Sequence, residues 1–323
     1  MNSRRLAFPA LISAGLLWGT TVPLSKLALA WLPPAWLALC RFGLAAVILM
    51  LAGRSARGQK ALRAAMSPAI LATGAVGYGG SVVLQNIGVQ HTSVTHAALL
   101  IGTMPALVAI IAALAGHGVA RPAAWAGFAL SLAGVAVVAA GKGGGATLGG
   151  DAIVLAAQVL AAAFVVSQSR LLRGRDPVAV TAVQLMAAAA LTLPLALAEG
   201  TPAGHAGPGA LLATGLLVLA GTVAPTVLFA YGQTQVRADV AGAFVNLEPL
   251  VGAIAGAVLF ADPLGAAQLA GGAAILAGIA LSTLQAVRAR PRKAPPAAPR
   301  DTAGAGRGNG RYHRVPAASA SWR

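Results

Sequence analysis

Ten runs of roughly 18 or more residues, nearly free of charge and joined by short basic loops, constrain this chain more than any other feature. They lie near 7–29, 35–53, 67–88, 94–116, 123–141, 151–170, 177–198, 209–231, 239–260 and 264–287. A run of that length crosses the ~30 Å hydrocarbon core of a bilayer as a helix. A water-soluble fold would have to bury ten helices that are apolar on every side. The chain is 58% hydrophobic and 9% charged, against about a quarter charged in soluble domains, so it lacks the polar surface for that. The expectation is an all-α membrane protein of ten transmembrane helices, with the lipid bilayer as its first partner. The opening run, after "MNSRR", exceeds a signal-peptide core of 7–15 residues and is expected to remain as an uncleaved span.

The formal charge of +16 would suggest a nucleic-acid partner in a soluble protein, but its distribution points elsewhere. With the N-terminus inside, all but Lys26, Arg41 and Lys142 of the 23 Lys and Arg residues fall on the cytoplasmic side. This positive-inside bias predicts a plasma (inner) membrane protein with both termini cytoplasmic, and no nucleic-acid partner. Trp31 and Trp36 flank the first outer loop, as interfacial tryptophans do. A single cysteine, Cys40, rules out an intrachain disulfide and a cysteine-clustered metal site. Residues 289–323 form a Pro/Ala/Gly/Arg tract with too little apolar surface for a core, and are expected to be a disordered basic cytoplasmic tail.

The chain also repeats. At an offset of 144 residues Lys26 meets Arg170, Pro33 meets Pro177, Gly88 meets Gly232 and Pro105 meets Pro249, followed by Gly127 with Gly271 and Gly134 with Gly278. The halves are therefore 1–144 and 145–288, with five spans each. Five is odd, so the second copy enters the membrane from the opposite side. Two inverted five-helix repeats are a plan of secondary transporters, with the substrate site near the midplane between the copies. Pro105 and Pro249 sit about 15 Å into their spans by helical rise. A proline there removes an N–H donor from the carbonyls of Ile101 and Val245 and is expected to kink the helix. Such a break is tolerated where it faces protein or a wet cavity, which makes the two prolines candidates for helix breaks that gate the path.

Polar residues inside spans are the candidates for a substrate cavity. Tyr78, Ser81 and Gln85 share one face of span 3 at i, i+3 and i+7, with Asn86 beside them. Gln158, Gln184 and Asn246 occupy spans 6, 7 and 9, and Thr222 and Tyr231 in span 8 are weaker candidates. For each, cavity lining and interhelical hydrogen bonding fit equally well. Trp18, next to Gly19, fits either stacking on a ligand or packing on a neighbouring helix. Lys26 reads as snorkelling to the outer surface or as a charge at the cavity mouth. Arg41 lies deeper and needs a partner that the sequence does not name. Glu248 sits near the midplane, where an acidic residue costs about 2.5–3.5 kcal/mol on insertion scales; Met104 occupies the matching place in the first copy. It fits three roles: a proton-coupling carboxylate, a ligand for an amine-bearing substrate, or a structural group. His91 and His96, five apart, do not make a helical metal pair and read as surface histidines. HExxH, GxSxG and GxxxxGK[ST] motifs are absent from the sequence, so neither an enzyme, a metal nor a cofactor is expected.

The stretches "LLWGTTVPLSKLAL", "PPAWLALCRFGLA", "IGVQHTSVTHAALLIGTMPALVAIIAAL" and "YGQTQVRADVAGAFVNLEPLVGAIAGAVLFADPLGAAQLAGGAAILAGIAL" resemble, in their order, the EamA-type carriers of the drug/metabolite transporter superfamily. The resemblance covers residues 6 to about 287. It implies a ten-helix carrier of small metabolites, often outward-directed, whose spans 1, 3, 4, 6, 8 and 9 surround the cavity while spans 5 and 10 lie at the periphery. It also implies a Leu-Glu-Pro at Leu247–Pro249. The chain departs from the pattern at Gly118, beside His117, where the second copy has Asp262, and at Ala162 and Ala163, where span 1 has Trp-Gly. The expected function is a secondary transporter, an exporter of small metabolites such as amino acids or related compounds, with protons as a possible coupling ion. A passive channel on the same scaffold is the alternative.

The topology is directly testable. In a variant lacking Cys40, a cysteine introduced at Gly204 is expected to react with an impermeant thiol reagent applied to intact cells, and one at Ser55 is not. Labelling of position 55 from outside would overturn the orientation.

Overall fold

The structure, a computed structural model, describes residues 3–116, 122–141, 145–202, 206–235 and 244–288. The tail 289–323, the His117–Gly118 position, Arg121, Lys142 and Arg237 lie outside the described residues. Among those described, every regular element is a helix. Five segments are long and apolar enough to cross a membrane alone: Leu6–Ala28, Pro34–Ala52, Leu148–Gln168, Pro177–Ala198 and Pro208–Phe229. Two bent pairs raise the number to seven, Ala56–Ala65 with Pro68–Gln90 and Val94–Ile101 with Ala106–Leu114. Three shorter apolar helices, Trp125–Ala140, Leu247–Leu259 and Ala266–Gly278, fall where spans 5, 9 and 10 are expected. The exterior is apolar, with Leu114, Leu148, Val258 and Leu259 each more than two-thirds exposed. That surface suits acyl chains and not water. The chain is a multi-pass all-α membrane protein.

The packing of spans 5 and 10 displays the repeat symmetry. A Cβ added at Gly134 would come 2.6 Å from the Gly271 carbonyl oxygen, and one at Gly271 would come 2.6 Å from the Gly134 oxygen. Gly278 approaches the Gly127 carbonyl in the same way. Contacts 127–278 and 134–271 mean that the helices run antiparallel. Shifting by one repeat converts the second contact into the first, so a local two-fold relation passes between these spans. The two copies are thus inverted. Small residues let the backbones touch where no hydrophobic effect draws helices together. Ile275 and Val138 close the flank of this seam, both fully buried.

Several spans are interrupted. Span 1 divides at Thr20 into Ser3–Gly19 and Thr21–Ala28. Span 3 widens into a π-helix over Gly74–Gly80, and span 8 over Leu219–Val223. These two π segments coincide at the repeat offset. Span 4 breaks at Gly102 and Thr103, between Val94–Ile101 and Met104–Leu114, with a 41° bend. Span 9 enters its helix Leu247–Leu259 through a 3₁₀ turn at Phe244–Asn246. The expected proline kinks within continuous helices are corrected by this arrangement. Each break precedes its proline, and positions 105 and 249 lie in the first turn of the helix that follows. Proline is accommodated there because first-turn N–H groups have no intrahelical acceptor.

Substituting Gly134 by Leu is expected to drive the side chain into the span 10 backbone and destabilise the protein by about 1–3 kcal/mol, read as a lower unfolding temperature in detergent. Gly149→Ala, whose Cβ meets nothing within 4 Å, serves as the control. Equal unfolding temperatures would show that the seam does not hold the copies together.

Candidate functional site

Arg41 projects from the uninterrupted span 2 (Pro34–Ala52) toward the π segment of span 8. Its Nε donates to Thr222 Oγ1 at 2.7 Å and an Nη donates to the Gly221 carbonyl at 3.2 Å. The Thr222 hydroxyl donates in turn to the Leu217 carbonyl at 3.0 Å. π winding shifts the backbone ladder by one residue, and here it leaves a carbonyl and a hydroxyl side by side for one guanidinium. Arg41 also lies 5.6 Å from the centre of the Phe42 ring, within cation–π range. These contacts supply the partner that the sequence left open.

Two further groups feel the Arg41 charge. They are Tyr78, in the π segment of span 3, and Glu248, in the first turn of the span 9 helix. Tyr78 and Thr222 are repeat equivalents, so the two π segments present matching positions to one cation. The start of a helix favours a carboxylate because unpaired N–H groups concentrate positive potential there, which accounts for Glu248 directly before Pro249. Arg41, Tyr78 and Glu248 all lie deep among protein atoms yet keep part of their surface accessible, as residues lining an internal space do. Among the described residues, the Glu248 carboxylate takes no hydrogen bond. The arrangement can hold an anionic group at Arg41 and a cationic group or a proton at Glu248.

The other candidates divide. The Tyr78 ring packs between Phe42 and Phe164, at 5.8 and 4.8 Å. Trp18 packs on Phe229 at 5.1 Å, and its neighbour Gly19 admits the Val251 side chain and the Glu248 carbonyl of span 9. That close approach is by protein. Gln158 donates to Gln85 over a long 3.5 Å, and the Gln158 Oε1 is buried without a partner. Ser81 is buried and returns its hydroxyl to the Gly77 carbonyl. Asn86, also buried, donates to the Pro34 carbonyl at 3.0 Å and ties span 3 to the start of span 2. Gln184 forms a closed amide pair with Gln168 at 2.9 and 3.0 Å. The side chains of Asn246 and of position 105 lie outside the described residues. The structure thus brings Tyr78 and Glu248 together with Arg41, while Ser81, Asn86 and Gln184 are spent on interhelical or backbone bonds.

A second polar cluster escaped the sequence reading. His96 is not a surface residue: it is 1% exposed at the start of span 4. Its Nδ1 lies 3.0 Å from Asp151 Oδ2, and its Nε2 lies 3.1 Å from the Gln268 amide nitrogen. Thr92 donates to the other Asp151 oxygen. These partners suit a neutral ring with its proton on Nδ1. Nearby, Asp262 accepts the Thr95 backbone N–H at 2.8 Å. Lys26 caps the end of span 3 by donating to the carbonyls of Val89 at 2.6 Å and Thr92 at 2.8 Å, a favoured place for a cation. The signal that could have found this cluster is the scarcity of acid. The chain has only 7 Asp and Glu residues, so one at Asp151, opening a span, required a partner.

The coupling of Arg41 and Glu248 is testable. Arg41→Leu leaves the carboxylate unbalanced inside the bundle and is expected to lower stability in detergent. Adding Glu248→Leu is expected to restore part of the loss, with a non-additivity of about 0.5–3 kcal/mol. Strictly additive effects would show that the two charges act independently.

With the geometry in hand, comparison with known proteins gives a consistent answer. The EamA-like transporter family matches twice, over residues 6–140 and again over 148–284. A search of curated proteins finds no match. A solved structure described only as the crystal structure of a protein shares the fold, with a TM-score of 0.66 at 23% identity, over 88% of this chain and 99% of that one. The two family matches fall on the two copies that the glycine seam relates, and together they account for the membrane-embedded part of the chain. The protein belongs to the EamA-like transporter family, and is a membrane transporter of the drug/metabolite transporter superfamily.

Proposed function

We propose that this transporter is a secondary carrier that exports small metabolites, such as amino acids or related compounds, by alternating access at a midplane cavity between the inverted repeats. It works in the plasma (inner) membrane with both termini cytoplasmic. The observation that carries the reading is the state of Glu248. The other described carboxylates are all engaged: Asp151 by His96 and Thr92, Asp176 by the Ala179 N–H, Glu199 by the Ala35 N–H, and Asp262 by the Thr95 N–H. Glu248 alone among them keeps accessible surface deep in the bundle with its lone pairs unclaimed. A structural carboxylate in that position would need fixed donors. An exchangeable partner, either an amine on the substrate or a proton, fits instead, and Arg41 offsets the charge between visits.

Uptake into proteoliposomes against a concentration gradient, with and without a pH gradient, tests carrier against channel. Within that assay Glu248→Gln separates the two roles of the carboxylate. If Glu248 carries the coupling proton, the variant is expected to lose pH-driven accumulation and keep substrate exchange. If it binds the substrate amine, both fall together. Wild-type accumulation by a folded Glu248→Gln protein at every pH would overturn the reading.

A further inference from the structure

The short helix Ala56–Ala65, between spans 2 and 3, takes no part in the central site, and two of its features point outward. It meets the span Pro68–Gln90 at 80°, so when span 3 crosses the bilayer this helix lies along the surface. Ser55 caps its start, accepting from the Gly58 N–H at 3.2 Å. Its Leu62 and Ala65 side chains sit in a small apolar cluster with Ile70, Val180 and Val183. The opposite face carries Arg57, Lys60 and Arg63, and Arg54 precedes it; all four are exposed. Leu171 and Leu172 pack on the same cluster, which brings the exposed Arg170, Arg173 and Arg175 to the same corner of the bundle. Asp176 is the one carboxylate among them, and it is engaged as the cap of span 7.

Directly beside this corner runs an apolar groove of about 570 Å³ between spans 3 and 7. Leu71 and Met186 belong both to its lining and to the cluster beneath the basic helix. From there it continues past Ala75, Ala187, Ala190 and Leu191. A row of exposed cations at the end of an apolar groove between two spans is complementary to one kind of molecule, a phosphate joined to acyl chains.

We propose that this corner is a binding site for an anionic phospholipid, with its headgroup phosphate on Arg57, Lys60 and Arg63 and an acyl chain in the groove between spans 3 and 7. Surface cations attract anionic lipid with a strength that scales with their number, and the groove adds selectivity for a chain-bearing ligand over free phosphate. The site is independent of the transport reading, since none of its residues touches Arg41 or Glu248 in the contacts described.

The test uses the full chain in detergent, titrated with phosphatidylglycerol, phosphatidylcholine or water-soluble glycerophosphoglycerol, with bound lipid counted by native mass spectrometry. The wild type is expected to prefer phosphatidylglycerol to phosphatidylcholine and to ignore the soluble headgroup. The triple variant R57Q/K60Q/R63Q is expected to lose that preference, by about fivefold for each cation removed, the factor that ~1 kcal/mol per cation amounts to. Ala190→Trp, which fills the groove and spares the cations, is expected to weaken both lipids alike. Equal binding of the two lipids by the wild type would overturn the proposal. So would an unchanged preference in a triple variant that unfolds at the wild-type temperature, or tight binding of the soluble headgroup. If the triple variant fails to insert, the wild-type lipid comparison and Ala190→Trp still decide the matter.

Discussion

A peptide group that loses its helical partner inside a bilayer finds no water to replace it, and much of this structure follows from that constraint. Four of the five described interruptions answer it with a hydroxyl nearby in the chain. Thr20 returns its hydroxyl to the Leu17 carbonyl at 2.7 Å, and Thr103 does the same for Leu100 at 2.7 Å. Ser81 serves Gly77, and Thr222 serves Leu217. A hydroxyl one turn along the chain is the cheapest internal donor for a stranded carbonyl. The interrupted spans are 1, 3, 4, 8 and 9, and they contribute Tyr78, Thr222 and Glu248 to the centre. Spans 2, 5, 6, 7 and 10 are unbroken among the described residues and provide the frame, from which Arg41 reaches inward.

The two copies match in backbone and differ in chemistry. The paired π segments, the paired prolines and the Gly127/Gly134/Gly271/Gly278 seam obey the repeat. The charges do not: Arg41 is matched by Leu185 and Glu248 by Met104. A symmetric design would place two arginines and two glutamates in one low-dielectric space, doubling the desolvation cost and setting like charges against each other. One cation from the first copy and one anion from the second cancel instead. The backbone keeps the repeat symmetry, and the chemistry of the centre breaks it.

Most of the fold was legible in the sequence because hydrophobic length and charge sidedness are strong signals in a membrane chain. Outside 236–243, the expected runs fall on observed helices, five of which, or seven counting the bent pairs, are long and apolar enough to cross a membrane, and the glycines that match at the repeat offset form the seam. The centre was only partly legible. Glu248 stood out because a charge in an apolar run is costly, and Arg41 for the same reason. Their counterpart in span 8 did not, because "LAGTV" carries no sign that its helix widens. Tyr78, at the equivalent position in "GAVGYGG", was the available hint. Ser81 and Asn86 take the bonding alternative that the sequence left open. Helical periodicity places a polar group on a face, but a hydroxyl four residues from a carbonyl, or an amide opposite a proline-opened helix, is satisfied at once by the backbone. His96 was misread because loop proximity implies exposure only where nothing packs on the loop.

The His96 cluster gives the molecule a second asymmetry, with an energetic consequence. At the repeat offset Asp151 becomes Ala7, His96 becomes Val240 and Gln268 becomes Ala124. The polar network that joins spans 4, 6 and 10 at one end therefore has no counterpart at the other. Every member is buried and satisfied, and separating such a network exposes several strong donors and acceptors together. In the alternating-access cycle proposed above, opening the end that carries His96 would have to break the Asp151–His96–Gln268 chain. Under that proposal the network favours the form closed at the His96 end. Whatever drives net transport must overcome that bias, a role that the proposed function gives to the unclaimed carboxylate of Glu248.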